Sequence, residues 1–178
     1  MNKALGQYFT TDESLKATVH KFILNDPTVI LEPSVGRGHL VEYLSSRLDS
    51  DFDMYEIDET LEPLIDLEIK YCDFLKNIPT CKYKTIIGNP PYIKQRGKNT
   101  YIKFVDECVK LLEPQGELIF IVPSDFMTLT SATDTLKHMM KHGSFTHIYR
   151  PNKENLFVGA SIDVMVFRYC NTTTPNNQ

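Results

Sequence analysis

The apolar positions of this 178-residue chain fall into short buried runs that alternate with stretches of helical spacing. Leu15, Val19, Phe22 and Ile23 share one helical face. Residues 28–31 form an apolar strand, and Leu40, Tyr43, Leu44 and Leu48 then define a second helical face. Residues 52–57 and 69–72 read as further strands, with a short helix over 59–66 whose start Pro63 restricts. A fourth strand, 85–88, precedes a helix over 101–112 and a Pro114-Gln115-Gly116 turn. A fifth covers 117–122, and residues 125–142 are helical with a Thr- and Ser-rich, irregular first half. Residues 145–149 and an alternating run, 162–169, close the series, with a loop or short arm at 155–161. Too little chain separates these two strands for a crossover helix, so they form an antiparallel hairpin. Strands that alternate with helices specify an α/β fold: seven strands, mostly parallel, with helices on both faces.

The chemistry sits where the strands end. Three in succession end at an acid: Glu32, Glu56 and Asp73. In an open parallel sheet, the strand C-termini border the ligand crevice. After Glu32 the chain runs Pro33-Ser34-Val35-Gly36-Arg37-Gly38 and enters a helix, a turn in which glycine lets backbone approach a ligand. The third glycine of a dinucleotide fingerprint is missing, and a carboxylate there repels a pyrophosphate but suits a cation. Glu56 lies where an acceptor for ribose hydroxyls is expected. Phe74 is either a stacking platform for an adenine or a core aromatic.

The fourth strand runs into Asn89-Pro90-Pro91-Tyr92. Two prolines cannot extend a ladder, and they fix an extended segment that presents an amide, backbone carbonyls and an aromatic ring. That set suits capture of a planar NH2-bearing group; a plain strand-ending loop is the alternative. Lys94, Arg96 and Lys98 follow, either a phosphate-binding patch or a solvated loop. Thr10, three residues before Glu13, fits a helix-capping box, and its hydroxyl could also hold a carboxylate.

Composition narrows the partners. Hydrophobic content of 42% with 24% charged residues is that of a globular domain, and a net charge of −4 argues against a wholly basic nucleic-acid-coating protein. Four scattered cysteines suggest neither a zinc site nor a disulfide framework. Signal-peptide and membrane-spanning patterns are missing, which leads to the expectation of a soluble, cytoplasmic protein, with the nucleus or a viral factory left open.

In their order, these motifs resemble the adenine-N6 class of S-adenosylmethionine-dependent DNA methyltransferases in its gamma arrangement, as found in restriction-modification. Gly6-Gln7-Tyr8-Phe9-Thr10 resembles the family's cofactor-carboxylate motif, and Glu32 to Gly38 its acid-Pro-x-x-Gly-x-Gly loop. The resemblance implies a class I, Rossmann-like methyltransferase fold with S-adenosylmethionine as cofactor and no metal. Tyr8, Thr10, Glu32, Pro33, Gly36, Gly38, Glu56, Ile57, Asp73, Phe74 and Asn89 would hold the cofactor. Asn89, Pro90 and Tyr92 would be catalytic. Pro91, Tyr92, Lys94, Arg96, Lys98 and Phe157 would meet DNA whose adenine is flipped out. A single catalytic domain over 1–170 is expected, then a disordered tail, 171–178, without a target-recognition domain. Recognition would then come from a partner subunit or a second copy, unless the substrate is RNA or specificity is low. Enzymes of ribosomal-RNA adenine or of a glutamine amide share similar motifs, and a non-catalytic subunit of this fold is the remaining alternative.

Overall fold

A computed structural model describes residues 5–153 and 155–172. Helix α1 spans Glu13–Phe22 and strand β1 Val29–Glu32, followed by α2 at His39–Ser45 and β2 at Asp51–Glu56. Next come β3 at Lys70–Tyr71, β4 at Tyr83–Gly88, β5 at Lys94–Gln95 and β6 at Lys98–Asn99. Helix α3, Thr100–Lys110, leads into β7, Leu112–Pro123; α4 is Thr133–His142, and β8 and β9 are Gly143–Tyr149 and Val164–Asn171.

Seven strands form one sheet in the order β3-β2-β1-β4-β7-β9-β8. All pairs up to β4–β7 are parallel, and β9 runs antiparallel to both β7 and β8. The order reverses between β1 and β4, the switch point at which such sheets bind ligands. Strand β7 shows how both faces are covered. Leu118, Phe120 and Val122 pack with α3 and α4, whereas Ile119 and Ile121 pack with α1 and α2. Near-continuous apolar runs are what a sheet buried on two faces requires.

The structure departs from the sequence reading in six places. Pro114-Gln115-Gly116, expected as a turn before the fifth strand, lies inside β7, with Gln115 at φ 63°. No helix forms over 59–66; the segment folds as turns against the glycine loop, with Leu64 N–H donating to the Arg37 carbonyl at 2.8 Å. Pro63 removes a donor, and Leu64 and Leu67 stay exposed rather than forming a buried helical face. The cap of α1 is Asp12, whose side chain accepts from Leu15 N–H at 3.0 Å, so Thr10 is not the cap. The last strand is not half-exposed: its residues 164–169 are all buried, Arg168 included. The Lys94 to Lys98 segment is a β-hairpin, turned by Arg96 and Gly97 at φ 51° and 78°. Asn171 belongs to β9 rather than to a tail, and residues 173–178 lie outside the described residues. The expected α4, with its irregular 3-10 approach, and the β8–β9 hairpin are both present.

Candidate active site

The C-terminal ends of β1, β2 and β4 open onto a cavity with about 980 Å³ of open space, its mouth included. Tyr8, Thr10, Glu32, Pro33, Gly36, Glu56, Ile57, Asp73, Phe74, Asn89 and Pro91 all line it. Chain segments more than 80 residues apart therefore meet at the switch point.

Two of the acids are deeply buried: Glu32 is 2% exposed and Glu56 4%. Glu56 accepts Gly36 N–H at 2.7 Å on one oxygen and Asp58 N–H at 3.0 Å on the other. It thus fixes the glycine loop while each oxygen keeps a lone pair for a ligand hydroxyl. Burial raises its pKa despite these bonds. Glu32 accepts Ser34 N–H at 2.9 Å, and burial pushes its pKa up to about 8, with the nearby Glu56 charge adding to the rise. Desolvation disfavours the charged form of a carboxyl so placed, and a cation beside it would favour that form. Asp73 caps a 3-10 turn through Leu75 N–H at 3.0 Å. Against these acids the wall carries Arg37 and His39; Arg37 Nε is spent on the Glu62 carbonyl at 3.1 Å, and burial lowers the His39 pKa, which favours its neutral form. This donor set fits a ligand that is cationic and hydroxyl-bearing, and it does not fit a pyrophosphate. Thr100 Oγ1, buried and without a hydrogen-bond partner in the fold, adds an unused polar atom to the same wall.

On the other side stands Asn89. Its Nδ2 donates to the Tyr8 carbonyl at 2.8 Å and to Thr10 Oγ1 at 3.1 Å. Tyr92 O–H donates to Asn89 Oδ1, and the Ile121 carbonyl lies 2.9 Å from the same hydroxyl. Burial raises the Tyr92 pKa, so it stays a neutral donor. The N-terminal segment straps this motif down. Tyr92 N–H donates to the Gly6 carbonyl at 3.1 Å, and the Tyr8 ring stacks on Tyr92 at 5.4 Å. A side chain at Gly6, at φ 65°, would meet Tyr92 N at 2.8 Å and Ile93 Cγ2 at 2.5 Å. Gly88 is equally constrained, because a Cβ there would sit 2.9 Å from Glu32 Oε1. Glycine at 88 lets the acid pass directly beneath the strand end that carries Asn89.

Other residues fall elsewhere than expected. Tyr92 faces Tyr8, Tyr101 and Phe157 rather than the cavity, and Phe157, 3% exposed, is a core aromatic packed against both Tyr8 and Tyr92. Phe74 lines the cavity yet is 2% exposed and stacks on Phe104 at 5.6 Å, so the core reading holds for most of its ring. Gly38 is the left-handed N-cap of α2, covered by Ile65. Pro90 is buried behind the wall. Lys94 and Arg96 are exposed on the hairpin, but Lys98 pairs with Asp106 at 3.1 Å. Sequence reasoning missed Gln7, whose Nε2 donates to Asp58 Oδ2 at 3.2 Å, and it missed Gly88 and Thr100. Gln7 sits inside the Gly6 to Thr10 motif and could have been found there; nothing in the local sequence marked the other two.

A family model described as Eco57I restriction-modification methylase matches residues 39–157, more than half of the chain. The type II methyltransferase M.HincII of Haemophilus influenzae is 28% identical over 93% of this chain and 37% of its own length. The chain thus spans little more than a third of the relatives it matches. Among solved structures, the M protein of the type I restriction enzyme EcoKI superposes with a TM-score of 0.73 at 16% identity, over 94% of this chain and 44% of that one. The 23S rRNA methyltransferase ErmE gives 0.66 at 19% identity, over 92% and 69%. These likenesses establish the class I S-adenosylmethionine-dependent methyltransferase fold.

Proposed function

The chain belongs to the Eco57I restriction-modification methylase family, and from that premise we propose that its site methylates the N6 amine of adenine in DNA, with S-adenosylmethionine as cofactor. The observation that carries the reading is one cavity wall shared by three strand-end acids and by Asn89 and Pro91 of the Asn89-Pro90-Pro91-Tyr92 motif. When bound, S-adenosylmethionine supplies a methyl carbon activated by a positively charged sulfur. Glu56 would hold its ribose hydroxyls, Asp73 and the exposed Ile57 its adenine, and Glu32 its cationic end, with Tyr8, Thr10, Pro33 and Gly36 closing around it.

The protein's task on the other side is to make a poor nucleophile competent. The lone pair of an adenine amine is delocalised into the ring. Asn89 Oδ1 and the Pro90 carbonyl each accept one N6 hydrogen, which favours a tetrahedral nitrogen and stabilises the positive charge that develops on it. Acceptors held rigidly by prolines need little reorganisation. Duplex DNA must present the base flipped out, and Tyr92 must leave Asn89 Oδ1 and turn its ring to the incoming base. The cysteines have no role in this scheme, because the amine attacks directly without a covalent enzyme intermediate. Lys94 and Arg96 meet the phosphate backbone. Residues 1–170 act as a catalytic domain, and sequence recognition is assigned to surface beyond it, whether a longer chain, a partner subunit or a second copy supplies that surface.

The test is a substrate choice. The protein is incubated with methyl-labelled cofactor and, separately, duplex DNA, single-stranded DNA, ribosomal RNA and a protein mixture. Label recovered as N6-methyladenine from DNA is expected; label confined to RNA or to a glutamine amide would overturn the reading.

A further inference from the structure

We infer that Thr10 is a positioning residue for Asn89: the Tyr8 carbonyl fixes which end of the Asn89 amide faces the acceptor amine, and the Thr10 hydroxyl oxygen, accepting from the same Nδ2, holds the amide in that place. The inference rests on the reading of Asn89 as the acceptor that N6 meets.

A primary amide is almost symmetric in shape, so packing alone does not distinguish Oδ1 from Nδ2. The difference is decisive here. Oδ1 accepts an N6 hydrogen; Nδ2 in its place would set one donor against another and leave the developing charge without a partner. The surroundings of Asn89 resolve the choice. An acceptor that cannot donate, the Tyr8 carbonyl, lies 2.8 Å from Nδ2, and Thr10 Oγ1, 3.1 Å from Nδ2, accepts beside it. The Tyr92 hydroxyl donates to Oδ1 on the other side. A flipped amide would aim Oδ1 at the Tyr8 carbonyl, oxygen against oxygen.

Thr10 is available for this because Asp12 caps α1 in its place. It is also 6% exposed, so water cannot readily replace its hydroxyl. The Tyr92 hydroxyl cannot do the work alone, since it must leave Oδ1 when a base enters. During turnover the amide's orientation then depends on the strap, in which the Thr10 side chain and the Tyr8 carbonyl bond to it.

Two variants separate positioning from packing. Thr10→Val keeps the shape and removes the acceptor; Thr10→Ser keeps the acceptor. With DNA and saturating cofactor, Thr10→Val is expected to lower kcat about tenfold, the worth of one buried hydrogen bond, with KM for DNA within about twofold of wild type. Thr10→Ser should restore kcat to within about threefold. A second readout needs no turnover: the side-chain NH2 resonances of Asn89, assigned by their loss in Asn89→Ala. In wild type and Thr10→Ser both protons should resist exchange, and in Thr10→Val at least one should exchange faster. Unchanged exchange and kcat in Thr10→Val would overturn the inference, as would a loss expressed only in cofactor Kd. If wild type fails to methylate DNA, the functional reading fails, while the exchange measurement still decides the geometry.

Discussion

Two buried glutamates at opposite ends of the same sheet teach what separates a structural acid from a site. Glu117, fully buried, lies beside Thr85 near the start of β4 and away from the cavity. It accepts from Arg168 Nε at 3.2 Å, from Leu24 N–H at 2.7 Å, from Asn25 N–H at 3.0 Å and from Thr85 Oγ1 at 3.2 Å. The chain leaving α1, the central strand and β9 are tied together by one carboxylate. Glu32, at the other end, is nearly as buried, yet it has Ser34 as its donor and no cation beside it among the described residues. The first acid is complete within the fold. The second is left in need of a positive partner, and it lines the cavity with Asn89.

The comparison can be broken most forcefully at its structural end. Arg168→Ala strands a buried carboxylate, and about 3–5 kcal/mol of stability should be lost, measured by urea unfolding. Survival with wild-type stability would show that Glu117 does not need its cation. At the site end, Asn89→Ala should lower kcat on DNA by about 100-fold or more, with a smaller stability loss of about 1–3 kcal/mol from the hydrogen-bond partners it strands.

Glu32→Gln sharpens the contrast through pH. Because the folded-state pKa is raised above the ordinary carboxyl value of 4.5 to about 8, the folded protein binds more protons than the unfolded chain between these values. The contribution of Glu32 to stability therefore falls as pH rises from 4.5 towards 8. Glu32→Gln should be more stable than wild type at pH 9, by on the order of 5 kcal/mol, and nearly equal near pH 4.5. Equal stability at both pH values would show that Glu32 is not held in a desolvated state. Tyr92→Phe gives the smallest expected effect. The ring stays and the hydroxyl that occupies Asn89 Oδ1 goes, so KM for DNA should fall about two- to fivefold, with a stability loss of about 1 kcal/mol. A rise in KM would mean that the hydroxyl assists base entry rather than competing with it.

The sequence carried most of this fold because its signals are local. The apolar runs of β1, β4 and β7 and the helical faces of α1 and α3 can be seen within ten residues or so. The β8–β9 hairpin followed from the length of its connection alone. The strand-end acids and Asn89 were equally legible, since strand C-termini gather at one edge. What escaped was non-local. Arg168 looks like a solvent-facing member of an alternating strand until Glu117, 51 residues earlier, is found beneath it. Thr10 matches a capping box, and only the fold shows that Asp12 takes the cap and that the Asn89 amide reaches Thr10. Tyr92 shows its ring in the sequence, but that its hydroxyl meets Asn89 Oδ1 depends on the turn made by the two prolines. Pro63 was read as restricting a helix start, whereas the segment has no helix, because its leucines find no surface to bury against.

Burial pushes the Glu32 pKa up to about 8, so a cationic ligand should ionise this acid as it binds, and calorimetry tests that linkage most directly. S-adenosylmethionine is titrated into wild type and Glu32→Gln at pH 7 in two buffers of different ionisation heat, which gives the protons exchanged on binding. Wild type should release most of one proton more than Glu32→Gln, and should bind more tightly by about tenfold. Equal proton counts with equal affinity would contradict the claim and leave Glu32 a buried acid with no part in binding.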